Sequence, residues 1–241
     1  MNDSSRFAGS VAVIGAAIAW CVVPLYLAAT NFNVDLMNHP ASALALTARS
    51  QSLYGCSMWA DILGMYLPFI VVGGYLWSRV RPTTGAMADI ATMAVLAYAL
   101  LGVIGASELI PTLGPLSAMH ASSAPMAKPV AEALWLALGA AAQGAWQVEG
   151  VVFALWGIAT AHSLRSQKWG FGSLLYLDAV LFGIVFLLKL VGGPQLAGIE
   201  ALLVLVIHAI NPLWLLLFGI SVLRGRAAAA MPTGAALGSG A

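Results

Sequence analysis

Six runs of about twenty or more mostly apolar residues constrain this chain more than any other feature. They lie near positions 8–30, 58–77, 86–110, 138–163, 171–191 and 195–223. A helix rises about 1.5 Å per residue, so each run spans a hydrocarbon core about 30 Å thick. None alternates with the period of two expected of a barrel strand, which leaves the helix as the spanning element. Composition agrees: 8% of residues are charged, against about 25% in a soluble domain. A water-borne monomer of this composition would expose more apolar surface than such proteins tolerate. The expected fold class is all-α, a polytopic membrane protein with six transmembrane helices. A single domain covers 1–226, and an Ala/Gly-rich tail, 227–241, is expected to be disordered.

Orientation follows from the basic residues. Arg6, Arg79, Arg81, Arg165, Lys168, Arg224 and Arg226 fall on one side of a six-crossing chain, and Arg49, Lys128 and Lys189 on the other. The positive-inside rule then puts both termini in the cytoplasm. The first run ends in Leu27-Ala28-Ala29, like a leader peptide, but it is longer than a leader's apolar core and reads as a retained anchor. Ten basic against nine acidic residues leave no electrostatic footprint for nucleic acid. Two cysteines exclude a disulfide framework.

The outer connections are unequal. Turn formers at Asn31, Asn33, Asn38 and Pro40 precede a helix-compatible stretch, 41–57, so the second helix is expected to start outside the bilayer. The stretch 111–129, rich in Pro, Ser and Gly, is expected to be irregular, and the fourth helix to project outward from Ala131. The last outer turn is Gly192-Gly193-Pro194.

Two hairpins look alike. Asp61 is followed by Arg79, Arg81, Gly85 and Asp89; Glu149 is followed by Arg165, Lys168, Gly172 and Asp178. The acids are 28 and 29 residues apart. Either hairpins 2–3 and 4–5 are a parallel repeat, or membrane thickness and charge placement impose the spacing on both. Tyr75-Leu76-Trp77-Ser78-Arg79 and Ala161-His162-Ser163-Leu164-Arg165, with the order of short basic turns and long outer connections, carry a resemblance. The chain resembles a bacterial family of six-helix integral membrane proteins of unknown function. That resemblance implies a six-helix topology and a bacterial cytoplasmic (inner) membrane address, and supplies no reaction.

Charged groups inside a bilayer cost roughly 2.5–3.5 kcal/mol each at a central position, so each is a candidate for function. Counting from the basic anchors at about 1.5 Å per residue, Asp89 and Asp178 lie about 12 and 15 Å deep, and Glu149 and His208 about 24 Å. Glu149, His208, Asp178, Asp61 and Asp89 are the candidates for ligand binding or proton relay. Glu149 is placed to hydrogen-bond His208, and a structural role in helix packing is the alternative. Lys189 and Glu200 flank the last outer turn as a candidate ion pair. Asn211-Pro212 is expected to kink the sixth helix one turn beyond His208.

No phosphate loop, nucleophile elbow or paired-histidine zinc helix occurs. His162 and His208 lie at different depths, which disfavours haem, and no metal or other cofactor is expected. Three functional readings stay open. The first is a non-enzymatic protein that binds or transports a small apolar or weakly polar ligand through an outward-facing cavity between helices 4–6. The second is an accessory or assembly subunit of a larger membrane complex, and the third a membrane enzyme with Glu/His proton transfer. The lipid bilayer is the one partner common to all three; homo-oligomers are compatible with each.

Overall fold

The computed structural model describes residues 3–166, 169–193 and 195–225, and every regular element among them is helical. Lys168, Pro194, Arg226 and the tail 227–241 lie outside the described residues. The first apolar run forms α1 (Asp3–Ala19) and α2 (Val22–Ala29), separated at Trp20-Cys21. Pro24 accounts for the break, because it has no N–H to give to the carbonyl of Trp20 four residues back.

The next connection folds into a 3₁₀ turn (Leu36–Asn38) and a short helix, α3 (Pro40–Leu44). Then α4 (Ala48–Asp61), a π turn (Ile62–Tyr66) and α5 (Leu67–Thr84) run end to end. The side-chain oxygen of Thr47 accepts the Ser50 backbone N–H at 3.2 Å and fixes where α4 begins. Helix persists past Arg79 and Arg81 to Thr84, so the inner turn is Gly85 alone, at φ 54°. Only glycine takes that backbone region without a steric cost.

After α6 (Ala86–Leu109), the stretch expected to be irregular contains α7 (Leu113–His120), and α8 (Ala127–Ser166) starts within it. Pro115 and Pro129 sit in first turns, where a missing N–H removes no intrahelical bond. Leu113 and Leu116 bury against the outer cluster, which holds α7 in place. The chain ends with α9 (Gly172–Val191) and α10 (Ala197–Leu223); α10 continues through Pro212.

By length and composition, five stretches could cross a membrane: Asp3–Ala29, Ala48–Thr84, Ala86–His120, Gly172–Val191 and Gly198–Leu223. α8 is not among them, although its 40 residues extend about 60 Å. Lys128, Glu132, Gln143, Gln147 and Glu149 dilute its apolar character.

Two main cores are stacked along the bundle, and Ala19, Val22, Ala60 and Met65 form a minor third cluster. The larger one is aromatic: Phe69, Tyr98, Phe153, Trp156, Trp214 and Phe218 are all fully buried. Ring centroids stand 4.7 Å apart for Tyr98 and Phe153, and 5.8 Å for Phe69 and Trp214. Edge-on and stacked contacts of this kind add about 0.5–1.5 kcal/mol per pair beyond burial. The smaller core joins α3, α4 and α7 to the first half of α8. There the Trp135 indole N–H donates to the Met37 carbonyl at 3.0 Å, and the Tyr26 hydroxyl to the Val34 carbonyl at 2.8 Å. The outer connections thus form a packed cap on the projecting part of α8.

Candidate functional site

The site begins with the π turn. Pro68 cannot donate to the Gly64 carbonyl, so the α ladder fails there, and Leu67 N–H instead reaches the Ile62 carbonyl five residues back. In a regular helix, residues five apart point about 140° away from each other. The wider turn brings Asp61 and Tyr66 onto one face. Two glycines let this turn sit inside the bundle. A side chain at Gly64 would overlap the backbone of Ala19, and one at Gly102 would overlap the Tyr66 ring. Gly102 therefore supports the site by making room for a phenol.

The Tyr66 hydroxyl donates to Glu149 Oε1 at 3.3 Å. Asp61 interacts with the same hydroxyl and is within electrostatic reach of the His208 imidazole. Asp61 and Glu149 are each 7% exposed, and Glu149 Oε2 has no protein partner. Lys189, on α9, is within electrostatic reach of Glu149. Its ammonium lies 3.5 Å from Glu200 Oε1 and 3.4 Å from Gln143 Oε1, so the pair flanking the last outer turn is close enough to interact.

A second polar group joins α9 to α10. The Asn211 amide donates to Asp178 Oδ2 at 3.1 Å, and both side chains are fully buried. Tyr98, also fully buried, is within electrostatic reach of Asp61, Glu149 and Asp178. One phenol is therefore coupled electrostatically to both groups, most strongly to Glu149.

Not every candidate from the sequence joins them. Asp89 is at the exposed inner turn, where it accepts from Arg81 Nε at 2.9 Å and from Trp77 Nε1 at 2.7 Å. Glu149 and His208 do not bond each other: His208 Nδ1 lies 2.8 Å from the Val204 carbonyl of its own helix, and Glu149 takes the Tyr66 hydroxyl. His162 is exposed, and His120 pairs with Glu132 at 3.0 Å in the outer cap. Among the described residues, no three His, Cys, Asp or Glu side chains converge to hold a metal ion. A small cavity of about 10 Å³, room for one water, opens between α5, α6 and α8 on the side of the basic turns.

Tyr66 and Tyr98 were the residues missed from the sequence. Their signal was position: both phenols lie within apolar runs, away from the interfaces where tyrosines usually collect. Comparison with protein-family models, curated proteins and solved structures gives no match.

Proposed function

We propose that this is a six-crossing integral membrane protein of a bacterial cytoplasmic membrane, with both termini inside, that exchanges protons as it binds or moves a small, weakly polar solute. The proton site is Asp61–Tyr66–Glu149. The observation that carries this reading is the sharing of one phenol by two buried carboxylates, one of them with an oxygen unpartnered. Two like charges at such depth repel each other and are poorly solvated, so the arrangement favours carrying a proton on one acid. Tyr66 can donate to either.

The case for α8 as the remaining crossing is its two-faced inner half. Val148, Val151, Leu155 and Ile158 are exposed, as a lipid-facing stripe would be. Glu149, Phe153, Trp156 and Thr160, on the opposite face, are buried. Beneath the acids, the aromatic core closes the route toward the basic turns, which favours exchange with the outside.

Infrared spectroscopy of the purified protein in lipid tests the proton site. The expected result is a protonated-carboxyl band at neutral pH that responds to a pH jump and disappears in Glu149→Gln at unchanged folded yield. A band unaltered by Glu149→Gln, or failure of both Glu149→Gln and Tyr66→Phe to accumulate, would reduce these acids to structural groups. Reporter fusions at each terminus test the topology, and an external signal from either overturns it.

A further inference from the structure

Asp178 and Asn211 hold more acceptor capacity than the fold uses. Their mutual hydrogen bond occupies Asp178 Oδ2 and the Asn211 amide nitrogen. Asp178 Oδ1 and Asn211 Oδ1 remain without partners, on side chains that are 0% exposed. The Tyr98 hydroxyl, within electrostatic reach of Asp178, is also unpartnered and fully buried. Buried polar atoms are nearly always satisfied, so two orphaned oxygens on one buried, hydrogen-bonded pair call for a ligand. On α10, Pro212 has no N–H for the His208 carbonyl, so a further oxygen lies one turn from Asn211.

We propose that Asp178 and Asn211 form a binding site for a monovalent alkali cation. The donor set is all oxygen with a single negative charge, so one monovalent ion brings it to neutrality. Calcium or magnesium takes more oxygens and usually more than one carboxylate, and softer metals want nitrogen or sulfur. Broken or proline-interrupted helices whose carbonyls face a polar centre are a recurring way to hold sodium within a membrane. This site uses an acid distinct from those of the Asp61–Tyr66–Glu149 proton site, and Tyr98 is within electrostatic reach of both.

The test compares the full-length protein, in detergent or nanodiscs, in sodium or potassium chloride and in choline chloride of equal ionic strength. The expected result is a thermal midpoint roughly 5–10 °C higher in one of the alkali salts, as follows from a ligand at about 100 times its Kd. The shift should vanish in Asp178→Asn and in Asn211→Leu, and persist in Glu149→Gln. Should either variant fail to fold, scintillation-proximity binding of radioactive sodium to the wild-type protein, competed by unlabelled sodium or potassium chloride, supplies a direct readout. Equal midpoints in all three salts with no specific radioactive sodium binding overturn the proposal, as does a shift that survives in both Asp178→Asn and Asn211→Leu. A shift lost only in Glu149→Gln assigns the ion to the proton site and also overturns it.

Discussion

Asp89 and Asp178 occupy matching places in the two similar hairpins, yet their surroundings are opposite. Asp89 lies in the first turn of α6, 43% exposed in its side chain, held by Arg81 and Trp77 across the Gly85 turn. Asp178 is two turns into α9, fully buried, with a neutral amide for its partner. The other matched pair, Asp61 and Glu149, meets at a single phenol. Spacing from a basic anchor sets the depth of a carboxylate. Which way it faces depends on the neighbouring helix, and that decides whether the charge is solvated, paired or left for a ligand.

The strongest way to break this comparison is truncation. Asp178→Ala leaves the Asn211 amide without its acceptor and opens a cavity, and is expected to cost about 2–4 kcal/mol in sodium-containing buffer, measured by denaturant titration in mixed micelles. Gly102→Ala comes next. Its methyl group must displace the Tyr66 ring, at about 1–3 kcal/mol, and it should weaken the Glu149 infrared signal in parallel. Gly85→Ala strains a positive φ in the first hairpin and is expected to cost about 1 kcal/mol, with the buried acids undisturbed. Asp89→Asn should leave the thermal midpoint unchanged, since its ion pair is half in solvent. A large loss from Asp89→Asn, matching that from Asp178→Ala, would mean the hairpins are more alike than their burial indicates.

The helices were legible in the apolar runs because lipid demands about twenty residues per crossing whatever the neighbours are. The outer cap was less so. Its α7 depends on Leu113 and Leu116 reaching Trp135 and its surroundings, a long-range match that local turn propensity at Pro111 and Pro115 concealed. Asp61, Glu149, His208 and Asp178 stood out because charge in an apolar run is conspicuous. Their pairing did not, because it depends on helix rotation: Glu149 turns to Tyr66, while the His208 imidazole meets the Val204 carbonyl of its own helix. Pro68 was the readable cue that the second run departs from regular α geometry just where Asp61 lies.

That departure makes the proline there an inherited constraint. Were a donor restored at position 68 and the backbone to close as an ordinary α turn with the same number of residues, everything upstream would swing by about 100°. The carboxylate would leave its phenol, and the outer cap would be carried round with it. In descendants of this protein, side chains at 62–65 are freer to drift than position 68 is to lose its proline.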